Sequence, residues 1–438
     1  MKEKHLGIEI VRLAFPATVE NIFQTLVGFV DTLLIAQLGL VAVTAVGLAN
    51  TILNVYLAVF MAIGVGGTAL IARSLGAGHH EKARQYARQT QATSIAFGIL
   101  FGLVSIVFGR WMLQAMGASG KVLEDAQVFF FWVGGFSLLH ASMTGLGTIL
   151  RATGDTVTPM KVGIITNVTN LVFDYFLIFG IGSWNGLGIF GTALGTIFAR
   201  LLGCYLLSRE VQKTALALEL RSNGVLSDYR ELISLTIPAA LERLVMRLGQ
   251  VVYFSLIVAL GITVYASHMI AGNIESFTYM PAYGLATAAV LIGQALGRGD
   301  IPMIRRLAFL SSAYGVVIMS LLGIVLFVGA PVFAQLFTKD LEAIHQVVTA
   351  LKIDAFNQPG LAVSLIMAGV LQGLGDTKSP LYSTAIGMWG LRVVGVIVLG
   401  QILGLGIAGV WLSILIDLFL RAIFLTWRFL VQTRKLAE

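Results

Sequence analysis

The sequence predicts an all-α membrane protein: twelve transmembrane helices in two pseudo-symmetric six-helix lobes. Three observations predict it. Only 12% of the residues are charged, against roughly 25% in soluble domains, so charge is too scarce to cover a soluble surface of this size. Apolar runs of about 20 residues or more recur along the whole chain, each long enough to span a hydrocarbon core of about 30 Å. The second half of the chain also echoes the first.

Hydropathy places helices 1 to 6 at 11–36, 45–72, 88–110, 124–150, 158–181 and 186–208. Helices 7 to 12 fall at 232–259, 266–293, 305–329, 345–372, 379–402 and 405–430. The first run is too long for a signal-peptide core and lacks a small-residue cleavage site, so it is expected to remain as helix 1. The lobes are then 1–208 and 231–438, joined by a polar linker over 209–230. Most Lys and Arg gather at alternate helix ends, among them Arg73, Arg84, Arg209, Arg298, Arg305 and Arg434. Arg110, Lys121 and Lys339 fall on the other side. The positive-inside rule therefore predicts an inner-membrane protein with both termini cytoplasmic and an even number of spans.

The echoes come in order. Leu13-Ala14-Phe15-Pro16-Ala17 matches Leu235-Thr236-Ile237-Pro238-Ala239, and Leu75-Gly76-Ala77-Gly78 matches Leu296-Gly297-Arg298-Gly299. Gly154-Asp155-Thr156 with Pro159 matches Gly375-Asp376-Thr377 with Pro380, and Gly186-Leu187-Gly188 matches Gly404-Leu405-Gly406. The offset is 222 residues at the first echo and 218 at the last, which chance does not sustain. Six helices repeated in one orientation form a parallel repeat. The Gly-Asp-Thr loops read as helix punctuation: Gly ends one helix, Asp caps the next, and Pro opens its first turn. No glycine-rich loop ending in Lys-Ser or Lys-Thr is present, so no ATP motor lies on this chain and the energy must come from an ion gradient or from a partner. The net charge of +7 follows membrane topology rather than nucleic-acid binding. Cys204 is the single cysteine, and the six histidines show no ligand spacing, so neither a disulfide nor a resident cofactor is expected. No nucleophile motif suggests an enzyme.

Charged residues inside a bilayer are costly and face the bundle interior. In helix 1, Glu20, Gln24 and Asp31 stand four and seven residues apart, within about 40° of one another. In helix 5, Asn167, Asn170 and Asp174 form a second stripe. Both helices run in the same direction, which sets Asp31 and Asp174 at similar depth. Two acids in one low-dielectric pocket cannot both ionise cheaply, so such a pair has a proton to take up and release. With Asn170 and the hydroxyl of Thr196, the same oxygens could hold a hard cation instead. The first lobe offers only Arg200 against Glu20, Asp31 and Asp174. The second balances Glu242, Glu275, Asp354 and Asp417 with Arg243, Arg247, Lys352 and Arg392. Coupling is therefore expected in the first lobe, and a structural role for the charges of the second. Met246, Met269 and Tyr279, with Tyr253 at the repeat position of Asp31, are candidates with Gln24 and Asn167 for lining a substrate cavity.

Several motifs together resemble the multidrug and toxic compound extrusion (MATE) family. They are Phe29-Val30-Asp31-Thr32 with Leu38-Gly39, Ala45-Val46-Gly47-Leu48-Ala49-Asn50, Ala72-Arg73-Ser74-Leu75-Gly76-Ala77-Gly78, and the Leu150-Arg151 to Pro159 loop. The resemblance spans both halves and is nearest to the bacterial DNA-damage-inducible branch. It implies two lobes forming a V around a central cavity. It also implies export of cationic or amphipathic compounds in exchange for H⁺ or Na⁺. The family's cation site maps onto Asp31, Asn170, Asp174 and Thr196. Two departures stand out: Thr144 and Gly147 replace asparagines of some relatives, and helix 7 lacks an acid at the more distal position some relatives use. The resemblance implies a proton-coupled antiporter for small molecules, expected as a monomer. A sodium-coupled antiporter is one alternative. A flippase for lipid-linked anions, using Arg243, Arg247 and Arg392, is another.

Overall fold

The structure is a computed structural model that describes residues 3–218 and 228–438. Residues 219–227 of the expected linker lie outside the described residues.

Twelve helical stretches follow in order among the described residues. They are α1 (Glu3–Ala36), α2 (Leu40–Gly76), α3 (His80–Ala115) and α4, in which Gly120–Gly135 continues after a 44° bend as Ser137–Ala152. Next come α5 (Val157–Phe179), α6 (Ile189–Gln212) and α7 (Arg230–Leu260). The helix α8 is broken into Ile262–Thr278, Met280–Leu285, a 3₁₀ turn and Ala289–Gly297. It is followed by α9 (Ile301–Phe337), α10 (Leu341–Gly373), α11 (Lys378–Ile402) and α12 (Ile407–Ala437). Ten of these stretches are long and apolar enough to cross a membrane, and the bent pair in α4 makes an eleventh. The helix α10 has the length, at 33 residues, but Asp354, Asn357 and Gln358 interrupt its apolar middle. A two-residue antiparallel ribbon, Gly180–Ile181 on Trp184–Asn185, joins α5 to α6.

The helix surfaces show their solvent. Along α9, Val317, Leu321, Ile324 and Val328 recur at helical spacing, and each is more than half exposed. Such a stripe suits acyl chains and not water. Where helices meet, small residues let backbones approach: a Cβ at Gly102 of α3 would come 2.5 Å from the Gly135 carbonyl of α4. Both repeated loops are capped as expected. Asp155 accepts from the Thr158 amide and Asp376 from the Ser379 amide, each at 2.9 Å. Gly154 and Gly375 sit at φ +94° and +83°, which favours glycine.

The chain divides into two compact units, Val19–Thr236 and Met1–Thr18 with Ile237–Glu438. These bounds differ from lobes cut at 208 and 231, and packing explains the shift. Leu6, Ile10 and Ala14 of α1 are buried against Leu285, Ile292 and Ile366. At the other boundary, the Tyr86 hydroxyl donates to Glu231 at 2.5 Å, and Leu232 is buried with Tyr86, Ala83 and Leu216. Each crossing of a boundary falls within a few residues of a helix-interior proline, Pro16 in α1 and Pro238 in α7. A proline frees the carbonyl four residues earlier and weakens the helix there.

Candidate functional site

In the unit Val19–Thr236, Asp174 is fully buried on α5. Asn170, one turn earlier, donates its amide to Asp174 Oδ2 at 3.1 Å. Asp31, half-buried on α1, brings its carboxyl within hydrogen-bonding reach of Asp174. Two acids this close in a low-dielectric site cannot both ionise cheaply, so the pair is suited to take up and release a proton. Oδ1 of each is buried with no donor directed at it among the described residues.

The wall behind Asp174 is a residue that sequence reasoning passed over. A Cβ on Gly195 of α6 would collide with Asp174 Oδ1, so only glycine lets the carboxyl pack there. Thr196, the next residue, donates its hydroxyl to the Thr192 carbonyl of its own helix at 3.0 Å. Its lone pairs remain for a ligand, but it holds neither aspartate. Gln24 is exposed and Asn167 half-buried, and neither makes a side-chain hydrogen bond among the described residues.

Gly195→Ala should push the Asp174 carboxyl off its seat and cut coupled transport at least fivefold. Gly47→Ala, where nothing lies within 4 Å of the added carbon, should leave it unchanged. Transport rates of the two variants in the same vesicles check this. Equal rates would mean that Asp174 tolerates displacement.

The other charges pair differently from a lobe-by-lobe balance. Glu20 is held by Arg151, whose Nη2 donates to both carboxylate oxygens at 2.8 and 2.9 Å. Arg200 is therefore not the sole base facing the acids of this unit, and it makes no hydrogen bond or ion pair among the described residues. In the other unit, Asp417 is fully buried between two guanidiniums. Arg392 Nε donates to it at 2.6 Å, and Arg421 donates from Nε and Nη2 at 2.6 and 2.7 Å. Arg421, absent from the sequence reading, stands one turn from Asp417 on α12, a spacing that points to the pair. Glu242 accepts from Thr384 at 3.1 Å and Gln372 at 3.4 Å. Lys352 does not neutralise Asp354: it lies exposed over the Phe327 ring, 5.2 Å from its centre. Asp354 instead meets Glu275 and accepts from Gln358 at 2.8 Å and Asn357 at 3.3 Å. The expectation that each acid here finds a base is thus corrected for Glu275 and Asp354.

The cavity candidates separate. Tyr253 is buried in the core with Ile257 and Trp411, its hydroxyl 2.6 Å from His268 Nε2. That corrects its assignment as a cavity residue, since the ring and the hydroxyl are both spent on packing. Met269 is exposed, Met246 half-buried, and Tyr279 half-buried edge-on to Tyr283. All belong to the unit that does not contain Asp31.

Known proteins resemble this chain along nearly its whole length. A chain from Thermotoga maritima, described as a probable multidrug resistance protein NorM, is 29% identical over 94% of this chain and 90% of its own length. The uncharacterized transporter YisQ of Bacillus subtilis is 26% identical over 97% and 94%. The bent form of the Vibrio cholerae MATE transporter VcmN superposes with a TM-score of 0.93 at 22% identity, covering 99% of this chain and 98% of that one, a likeness of fold. The MatE family model matches twice, over residues 16–176 and 238–398, once in each repeat half. This chain therefore belongs to the MATE family of membrane transporters.

Proposed function

We propose that this chain is a proton-coupled antiporter of the cytoplasmic membrane, with both termini cytoplasmic. It exports cationic or amphipathic drugs and toxic compounds by alternating access. The observation that carries this reading is the Asp31–Asp174 carboxyl contact. A pair that shares one proton is negative, and a second proton neutralises it. In the negative form it attracts a cationic substrate, and on protonation it lets that substrate go. Fluxes couple because the two protonation states differ in affinity for the substrate. Pro16, whose missing N–H weakens α1, lets that helix repack between the states. The NorM names of the relatives support drug export.

Sodium would meet the same oxygens as a transported ion. A sodium ion would need both carboxylates ionised, whereas two acids in close contact in a low-dielectric site favour a proton on one of them. The proton is therefore the better fit. Of the three basic residues a lipid-anion flippase would use, Arg392 is committed to Asp417.

The test is dye efflux from proteoliposomes energised by a proton gradient or, separately, by a sodium gradient. Proton-driven efflux at least tenfold above protein-free vesicles is expected, with no added drive from sodium. Efflux that needs sodium would replace the ion, and efflux under neither gradient would overturn the reading.

A further inference from the structure

We infer that Arg200 receives an anionic group, a carboxylate or phosphate, carried by the substrate, so that the transporter favours zwitterionic amphiphiles over purely cationic ones. The inference rests on the efflux reading above and names its substrate class.

Arg200 lies midway along α6, one turn beyond Thr196. Phe198, Leu201 and Tyr205 form the exposed apolar face of that helix. Arg200 falls on the opposite side, flanked on the helical wheel by the buried Ala193, Gly203 and Leu207, and yet it stays part-exposed. A part-exposed residue among buried neighbours borders internal space rather than lipid.

Among the described residues no anion pairs with its charge. Every other acid of the unit that lies within the helices near it is engaged: Glu20 with Arg151, and Asp31 with Asp174. The polar groups beside Arg200 are His140 and Cys204, neither of them anionic, and the Cys204 thiol donates to the Leu139 carbonyl at 3.2 Å. Arg151, Arg392 and Arg421, by contrast, all grip carboxylates. An unanswered charge at this depth is costly, and residues kept there usually line a transport path. Thr196 stands one turn from Arg200, about 6 Å along the helix axis and within about 40° of it on the wheel, whereas Gly195, which seats Asp174, is about 8 Å along the axis and turned about 140° away. A substrate that placed its anion on Arg200 would hold its cationic centre more than about a nanometre away, along and round α6, near the aspartates.

Rhodamine B and its ethyl ester test this, since they share a cationic ring system and differ in one free carboxylate. Binding to the purified full chain is read by fluorescence anisotropy. Arg200→Gln should weaken rhodamine B about tenfold and leave the ester within twofold, and Arg200→Lys should retain most of the difference. Equal weakening of both dyes, or none, overturns the proposal while leaving the efflux reading standing. Wild-type protein that binds neither dye overturns that reading and the proposal with it. A second measurement needs no variant. Cys204, the sole cysteine, sits one turn from Arg200 and reports through its reaction with sulfonatoethyl methanethiosulfonate. Saturating rhodamine B should slow that reaction several-fold and the ester should not. Equal protection by both dyes, or protection by neither, would count against the assignment.

Discussion

Asp31→Asn protein folds and inserts but loses uphill efflux, falling at least tenfold towards the level of empty vesicles. The amide is nearly the size of the carboxyl and carries a permanent N–H donor. It can hold Asp174 as the shared proton does, so α1 and α5 keep their packing. What it cannot do is release that hydrogen. The pair is then fixed in one state, and substrate and proton fluxes part company. Asp174→Asn should do the same for the same reason. The two act as one unit, so the double variant should be no worse than either single one. Dye efflux under a proton gradient, with a melting curve to establish folding, measures all three. Asp31→Asn that still drives more than half of wild-type uphill efflux would remove the carboxyl pair from the coupling step. Glu275 and Asp354, the other carboxyl pair, would be the next place to look.

Much of this site was legible because helical periodicity is a local property. Spacings of four and seven put Glu20, Gln24 and Asp31 on one stripe, and three and seven put Asn167, Asn170 and Asp174 on another. Which stripes meet depends on helix packing, and there the reading thins. Nothing in the sequence distinguishes Gly195 from the other glycines of α6. Its role appears only once Asp174 is seen to press on it. Arg151 stands out in the sequence only as part of the Leu150-Arg151 to Pro159 motif, but its side chain reaches back to Glu20, 131 residues away in sequence. The charge balance of the second half failed for a reason the sequence does contain. Lys352 and Asp354 are two residues apart, which turns them about 200° apart on a helix, so they cannot pair. Asp417 and Arg421, four apart, can and do.

The largest effect on stability should come from that last pair. Asp417→Asn removes the anion between Arg392 and Arg421 and leaves two buried guanidiniums facing one another. Breaking a buried ion pair from one side costs about 3–5 kcal/mol, because the surviving charge loses its compensation without regaining water. Here two charges are stranded. The backbone gives no room for repair, since Gly387 of α11 packs so closely on the Asp417 carboxyl that any side chain there would clash with it. The turns around Gly387 are π-helical, from Ile386 to Val393, a geometry that often marks a helix held open by a specific contact. Asp417→Asn should therefore lower the melting temperature of the purified protein by at least several degrees. Adding Arg392→Gln should recover part of the loss, because one stranded charge is then removed. The outcome that would sink this account is a single variant as stable as wild type. Arg392 also lies in the field of Glu275, and that acid would then be its true counter-charge. Glu275→Gln, harmless if Asp417 is the partner, would become the destabilising change.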